Sequence, residues 1–293
     1  MNDGKLEVVR AGALTTLQDL GRFGHAHLGV PRSGALDQPA HRLANRLVGN
    51  TADAATLETT LTGVAVRASR PVTVAVTGAP ASVRIDGRPA AFASPVHVPA
   101  GAVLDVGSAA CGLRSYVAVG GAIDVPPVLG SRSTDLLSGL GPAPLRDGDL
   151  LPLGAARGRS RYADTVFWSQ PPRELLLPVL PGPRDNWFTP AALRTLATAR
   201  FTVSSQSNRI ALRTDGPVLE RAVHGELPSE GMVIGAVQVP PDGRPVVFLA
   251  DCPTTGGYPV IGVVPEKSLA DAAQAVPGLP LRFVPVRRRA RTA

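Results

Sequence analysis

Short runs of β-branched and aliphatic residues recur along almost the whole chain, each separated from the next by glycine, proline or other turn residues. Runs bounded in this way are typical of β-strands. The predicted strands of the first half cover 6–10, 56–61, 64–68, 72–77, 82–85, 96–98, 103–106 and 116–119. Those of the second half cover 174–180, 201–204, 209–213, 232–239, 246–250, 260–264 and 281–286. The Asp-Gly pair in RIDGRPA (84–90) predicts the tip of a hairpin. Many short strands with few helices predict a mainly β fold of barrels or sandwiches.

Three helices interrupt this pattern. Asp37 is a good N-cap, Pro39 follows in the first turn, and Gly49 and Asn50 end the apolar periodicity, so a helix is predicted near 38–49. The same signals predict a helix at 189–198 and a shorter one at 268–275. Residues 156–173 are small, basic and proline-ended, which is typical of a linker. We therefore expect two β-barrel-like domains, 1–155 and 174–293.

The formal net charge of +7 does not indicate nucleic-acid binding. The basic residues are scattered, apart from a cluster of arginines at 287–289 and 291, and aromatic residues make up only 4% of the chain. Stacking platforms for nucleic acid need aromatic residues interleaved with basic ones. No apolar run approaches the ~18 residues of a membrane span. The first residues also lack the pattern of a secretory signal, so a cytoplasmic location is expected, without nucleic-acid or membrane partners.

The cysteines and histidines do not predict a metal site. Cys111 and Cys252 are too few for a disulfide framework and are expected to be buried small apolar residues. His25 and His27 could share one face of a strand, but no third ligand is linked to them in the sequence.

Two polar clusters in the first half are candidates for binding. The stretch 15–24 supplies Gln18, Asp19 and Arg22. The stretch 31–37 places Ser33 and Asp37 before the first helix, where backbone N–H groups favour an anion. The alternative for Asp37 is a plain N-cap.

Two further clusters lie in the second half. The stretch 204–213 supplies Gln206, Ser207, Asn208 and Arg209. The stretch DCPTTGGYP contains Asp251, Thr254, Thr255, Gly256, Gly257 and Tyr258. It is either a wide turn capped by hydroxyls or a polar loop on the rim of a barrel. Gln238 lies within a β-branched strand and is either a ligand contact or a satisfied core amide. The motifs GxxxxGK[ST] and GxSxG are absent from the sequence, so the residues alone predict a small polar ligand.

Taken together, these clusters resemble one family. The segments RAGALTTLQDLGRFGHAHLGVPRSGALDQPAHRLANRLVGN, LETTLTG, GSRSTDL, SSQSNRIALR and DCPTTGGYP occur in the family's order and spacing. The family is the allophanate hydrolase subunit 2, or biotin-dependent carboxyltransferase, group, which includes the C subunit of bacterial 5-oxoprolinase and the kinase-inhibitor antagonist proteins. The resemblance implies two cyclophilin-like β-barrel domains. One departure is Pro253, where many members have a glutamine.

The resemblance also implies a function. It points to a hydrolase subunit of a heterocomplex that uses ATP to open 5-oxoproline to glutamate. The implied partners are an allophanate hydrolase subunit 1-like protein (the B subunit of 5-oxoprolinase) and a third protein (its A subunit). Alternatives are a regulatory protein that binds a kinase inhibitor and a urea- or allophanate-type carboxyltransferase subunit. No Met-Lys-Met segment occurs, so the chain itself carries no biotin.

The resemblance favours functional roles for residues of all four clusters. Asp37, Asp251 and Arg209 are the candidate catalytic residues, with one of the acids as base and Arg209, like Arg22, holding a carboxylate or phosphate. We expect Arg209 to be a charge on the rim of the barrel. The candidate substrate-binding residues are Asp19, Arg22, Ser33, Ser207, Asn208, Gln238, Thr254, Thr255, Gly256, Gly257 and Tyr258. The DCPTTGGYP loop is expected to line a pocket with Asn208 and Arg209.

Overall fold

The computed structural model describes residues 4–155 and 172–286. The chain divides into two compact units, one comprising Met1–Phe23 and Ser33–Pro171 and the other Gly24–Arg32 and Pro172–Ala293. All but the last two residues of the predicted linker 156–173 lie outside the described part, as does the arginine cluster after 286.

In the residues that the structure describes, the first unit contains two β-sheets and one α-helix. Its strands are β1 (Lys5–Arg10), β2 (Leu14–Gln18), β3 (Thr56–Thr60), β4 (Val64–Ala68), β5 (Val72–Gly78), β6 (Ala81–Ile85), β7 (Arg88–Ala90), β8 (Val96–Val98), β9 (Val103–Ala109), β10 (Arg114–Val119) and β11 (Leu150–Pro152). They form a six-stranded sheet in the order β11-β1-β4-β9-β6-β7 and a five-stranded sheet in the order β2-β3-β10-β5-β8. All of the pairings in these two sheets are antiparallel.

Strand β10 explains why this unit has two apolar layers. Val117 and Val119 face a core that includes residues from both sheets. Tyr116 and Ala118, on the opposite face, pack with buried residues of helix α1 (Gln38–Leu47). Successive side chains of a strand point to opposite faces, so β10 is buried along its whole length.

The second unit contains a closed barrel. Its strands are β12 (Leu175–Pro181), β13 (Phe201–Val203), β14 (Ala211–Asp215), β15 (Glu230–Gly231), β16 (Ala236–Gln238), β17 (Val246–Phe248), β18 (Thr255–Gly256), β19 (Val260–Val263) and β20 (Pro280–Pro285). The barrel order is β12-β19-β16-β17-β14-β13-β20, and β20 closes the ring by pairing in parallel with β12. Strands β15 and β18 form a separate two-stranded sheet.

Short helices complete the second unit. Helix α2 (Pro190–Thr198) begins after Thr189, whose hydroxyl accepts a hydrogen bond from the backbone N–H of Ala192, and α3 spans Leu269–Ala273. Three 3-10 helices cover Ala26–Leu28, Asp185–Trp187 and Glu266–Ser268. The side chain of Arg32 pairs with Glu266 within this unit.

The predicted mainly β class with few short helices is confirmed. The first helix begins as predicted, because the Asp37 carboxylate accepts a hydrogen bond of 3.0 Å from the Ala40 N–H. The Asp-Gly hairpin is also confirmed, since Asp86 and Gly87 both have positive φ between β6 and β7.

The structure differs from the sequence-based expectations at several single elements. Strand β2 was missed, because its Thr15, Thr16 and Gln18 side chains are polar yet buried. The predicted strand 232–239 is broken by Gly235, which has φ +86 and lies so close to the backbone that a Cβ would be 2.2 Å from the Val264 carbonyl oxygen. Cys111 is exposed in the turn between β9 and β10, whereas Cys252 is buried as expected.

Candidate functional site

The DCPTTGGYP loop begins at a buried ion pair. Asp251 follows β17, and its Oδ2 and Oδ1 atoms are each 3.0 Å from Nε and Nη2 of Arg209. Both side chains are inaccessible to solvent or nearly so, at 0% and 1% exposure. The Asp251 N–H also donates to the Arg209 carbonyl at 3.1 Å. The expectation of a rim charge at Arg209 was therefore wrong, because the guanidinium turns inward and joins the two loops.

The middle of the loop belongs to the two-stranded sheet rather than to an isolated hairpin tip. Gly256 pairs with Glu230, and Thr255 pairs with Gly231. The Met232 N–H donates to the Thr254 carbonyl at 2.8 Å. The backbone of the loop is thus held by the segment 230–232.

An ion pair holds the other side of this small sheet. Both Nε and Nη2 of Arg184 contact the Glu230 carboxylate, with Nε at 3.0 and 3.1 Å from its two oxygens. Hydrogen bonding with Arg184 lowers the pKa of the Glu230 carboxyl below its ordinary value. Glu230 therefore stays ionised at neutral pH and links β15 to the chain that follows β12.

Gln238 fixes the end of the loop. Its Nε2 atom donates a hydrogen bond of 3.0 Å to the Tyr258 carbonyl, and its side chain is 5% exposed. A Cβ on Gly256 would lie 2.8 Å from that nitrogen. Neither Gly256 nor Gly257 has a positive φ. A side chain at 256 would therefore have to displace the Gln238 amide, whereas the backbone conformation of this residue does not call for glycine.

The Tyr258 ring is 44% exposed at the end of the loop. The guanidinium carbon of Arg221 lies 6.0 Å from the ring centroid, which is a cation–π distance. Arg221 also donates from Nη2 to the Val239 carbonyl at 2.7 Å. Arg221 is thereby oriented against the loop, and nothing in the sequence pattern singled it out.

The remaining predicted residues of the second unit form local turns. The Oδ1 atom of Asn208 accepts hydrogen bonds from the Ile210 and Ala211 N–H groups at 2.8 and 3.2 Å. The Ser207 hydroxyl accepts from the Arg213 N–H at 3.0 Å. Such side-chain turns shape the chain that delivers Arg209 to Asp251. A pocket shared by Asn208, Arg209 and the glycine loop stays a prediction.

In the first unit, Asp19 forms the centre of a buried network. Its Oδ1 accepts hydrogen bonds from the hydroxyls of Ser131 and Ser133, both at 2.6 Å, and its Oδ2 accepts from the Arg132 N–H at 2.6 Å. A carboxylate with this many donors fixes the 131–133 loop. Arg22 supports the same loop by donating to the Ser133 and Val128 carbonyls.

Ser33 is one of several non-glycine residues of this unit with a strained backbone conformation. It has φ +55, and its side chain is only 1% exposed. Its hydroxyl has no hydrogen-bond partner among residues 4–155 and 172–286. Asp37 behaves as the N-cap of α1, and its backbone N–H donates to the Tyr116 hydroxyl at 2.7 Å.

The sequence analysis did not identify a second buried network in the first unit. The Tyr116 hydroxyl donates to Glu58 Oε2 at 2.8 Å, and Arg114 Nε lies 3.6 Å from Glu58 Oε1. Burial, followed by the nearby Glu58 carboxylate, raises the pKa of Tyr116 well above its ordinary value. The apolar run of β10 could have identified Tyr116 as a buried residue, but its polar partners are distant in sequence.

His41 lies on the buried face of α1 and is fully shielded from solvent. Its Nδ1 is 2.9 Å from Thr56 Oγ1, and its Nε2 is 3.1 Å from the Ala52 carbonyl. Burial lowers the pKa of His41 from 6.5 to about 4, so the ring is neutral at physiological pH.

The described ranges, 4–155 and 172–286, contain no group of three or more His, Cys, Asp or Glu residues that could hold a metal ion. In the same ranges, none of the helices is both long and apolar enough to cross a membrane.

Comparison with known proteins gives the family. A model of the carboxyltransferase domain, subdomain A and B, matches residues 28–285. The chain is 41% identical to the C subunit of 5-oxoprolinase from Escherichia coli strain K12, over 95% of this chain and 90% of that protein. It is 34% identical to the urea amidolyase of Lachancea kluyveri, over 96% of this chain but 17% of that protein.

The chain is also similar to a solved structure. The protein TTHA0988 superimposes with a TM-score of 0.87 at 37% identity, covering 96% of this chain and 56% of that one. The chain thus spans about half of this solved relative. The resemblance inferred from the motifs is confirmed, and the chain belongs to the carboxyltransferase domain family with subdomains A and B.

Proposed function

We propose that this chain is the C-type subunit of an ATP-dependent complex that hydrolyses 5-oxoproline to glutamate. The observation that carries this proposal is the match to the C subunit of the E. coli 5-oxoprolinase, which extends over nearly all of both chains. The urea amidolyase, by contrast, contains this region as a minor part of a much longer protein. A match over nearly the full length of a separate subunit favours the 5-oxoprolinase type over a fused carboxyltransferase.

The DCPTTGGYP loop is the proposed contact with the cyclic amide. Thr255 is exposed, and Thr254 and the two glycines are partly exposed, so hydroxyl and backbone groups are available to an amide. The ion pair between Asp251 and Arg209 leaves both charged groups neutralised and buried. We therefore assign these two residues a positioning role, because they hold the start of the loop. In this proposal Asp251 is not the base, and Arg209 does not bind the substrate carboxylate.

ATP is the co-substrate in this proposal. Transfer of its γ-phosphoryl group to the lactam oxygen releases ADP and makes the ring carbon electrophilic. Water then adds to that carbon, the C–N bond breaks as its nitrogen takes up a proton, and a second water hydrolyses the remaining acyl phosphate to glutamate and phosphate. We assign no ATP site to this chain, because the sequence lacks a GxxxxGK[ST] phosphate loop. The proposed partners are an allophanate hydrolase subunit 1-like protein and a third subunit.

Co-expression with the two partner proteins tests the proposal. The chain is expected to co-purify with the subunit 1-like protein through an interface of about 1,600 Å² or more. The purified complex is expected to hydrolyse ATP only when 5-oxoproline is added, with glutamate and phosphate as products. Two proteins that elute separately at micromolar concentration, or ATP turnover indifferent to 5-oxoproline, would contradict it.

A urea-type carboxyltransferase is the second candidate, favoured by the identity with the L. kluyveri urea amidolyase. In that case, carboxylated biotin on another protein would be the donor and urea the acceptor. Urea-dependent loss of carboxybiotin, without any response to 5-oxoproline, would select this function. Tight partner binding without turnover of either substrate would select a regulatory role.

A further inference from the structure

Arg221 has the placement of a ligand-binding arginine beside the DCPTTGGYP loop. Its guanidinium is held at two places, by the Val239 carbonyl at 2.7 Å and by the face of the Tyr258 ring at 6.0 Å. Val239 directly follows Gln238, which donates to the Tyr258 carbonyl. The guanidinium, the exposed ring and the end of the loop therefore form one connected group.

The charge of Arg221 is not neutralised within the described residues. Arg209 is paired with Asp251, and Arg184 is paired with Glu230. Arg221 has no carboxylate within ion-pair distance in the described part of the chain. Its hydrogen bond to a neutral carbonyl orients the planar group while leaving its positive charge for another anion.

We propose that Arg221 binds the carboxylate of the cyclic-amide substrate and so selects lactam acids over neutral amides. This inference rests on the proposed function and adds the residue that recognises the acid group. A guanidinium can contact both oxygens of a carboxylate through parallel hydrogen bonds. The Tyr258 ring attracts the cation, and the hydrogen bond to the Val239 carbonyl helps to orient it. The acid group of 5-oxoproline then lies on Arg221 while its ring amide faces the loop. Urea and simple lactams have no group for this contact.

The test compares two substrates that differ only in the carboxylate, 5-oxoproline and 2-pyrrolidinone. ATP turnover by the complete complex is measured with each substrate for the wild type, Arg221→Gln and Arg221→Lys. Arg194→Gln is the matched control, because Arg194 is an exposed arginine of α2 in the same unit. Thermal melting of each variant is recorded alongside.

Loss of a charge-assisted hydrogen bond corresponds to about a 10- to 100-fold loss in affinity. Arg221→Gln is expected to lower kcat/KM for 5-oxoproline by that factor, mainly through KM, and to change 2-pyrrolidinone turnover less than about threefold. Arg221→Lys is expected to recover part of the loss, and Arg194→Gln is expected to behave as wild type.

The outcomes separate the two proposals. The wild-type complex could respond to 5-oxoproline while the Arg221→Gln variant keeps its preference for the acid. That result would overturn the role of Arg221 and leave the proposed function intact. Equal losses with both substrates would also overturn it, since they would show a general effect on the loop. A wild-type complex with no response to 5-oxoproline would overturn both.

Discussion

Arg209 and Asp251 contact each other at two points in the interior of the second unit, with both N–O distances at 3.0 Å. Neither side chain has appreciable contact with solvent. In such a pair each charge is compensated chiefly by the other, so neither residue can be removed alone without leaving a buried charge.

Removal of one partner is therefore expected to destabilise the protein. Arg209→Ala or Asp251→Asn should lower the free energy of unfolding by about 3–5 kcal/mol, measured by urea denaturation at neutral pH. The control is Arg67→Ala, which breaks the exposed pair with Glu7 and should cost less than about 1 kcal/mol. Similar losses at both sites would contradict a special role for the buried pair.

The two adjacent glycines of the loop are expected to differ in their tolerance of alanine. A Cβ at 256 would be 2.8 Å from the Gln238 nitrogen, whereas a Cβ at 257 would have its nearest neighbour, the Leu227 carbonyl oxygen, at 3.4 Å. Gly256→Ala should cost about 1–3 kcal/mol of stability and reduce turnover of the complex, because it displaces the Gln238 amide. Gly257→Ala should be close to wild type in thermal melting, and a reversed order would refute this explanation.

Protonation of His41 is expected to destabilise the protein in mild acid. Its pKa is about 4 when folded and near 6.5 in the unfolded chain, so the unfolded state binds the proton first as pH falls. The contribution of neutral His41 to the free energy of unfolding is fully present above pH 6.5. It is lost as the pH falls from 6.5 to 4, and the total loss is about 3 kcal/mol. Urea denaturation at pH 7.5 and 4.5 should show a smaller pH-dependent loss for His41→Gln than for the wild type. Identical losses would mean that other groups control the acid sensitivity.

The Tyr116 hydroxyl is expected to contribute more to stability than the Tyr258 hydroxyl. Tyr116→Phe removes both the donor to Glu58 and the acceptor of the Asp37 N–H in a fully buried site. An unsatisfied buried group costs about 1–3 kcal/mol. The same substitution at the exposed Tyr258 should change the free energy of unfolding by less than about 0.5 kcal/mol. Thermal and urea unfolding of the two variants provide the comparison.

The sequence predicts elements that depend on local signals. The first helix begins where Asp37 and Pro39 predict it, and the hairpin turn lies at Asp86 and Gly87 as predicted. Each of these signals affects only the few residues next to it. Strand β2 was not predicted because Thr15 and Gln18 are polar. Their side chains are buried because they form hydrogen bonds inside the unit, and the pattern of apolar residues in the sequence does not show these bonds.

In the candidate site, too, features that depend on neighbouring residues could be predicted, whereas contacts between distant segments could not. The DCPTTGGYP loop stands out as a polar segment, but the inward turn of Arg209 depends on Asp251, far along the chain. Glu230 and Arg221 carry no signal of their own, since only the folded chain brings them to the loop. The reason for glycine at 256 is likewise a contact with Gln238 rather than a turn.

The parallel pairing of β12 with β20 bears on how the protein is made. These are the first and last strands of the barrel, so a nascent chain on the ribosome cannot complete the ring until β20 has emerged. Until that moment β12 and β13 each lack one neighbour, and exposed strand edges can pair with other nascent chains. Premature termination before Pro280 would therefore yield a chain with two permanently open edges, prone to aggregation and to removal by the quality-control machinery of the cell.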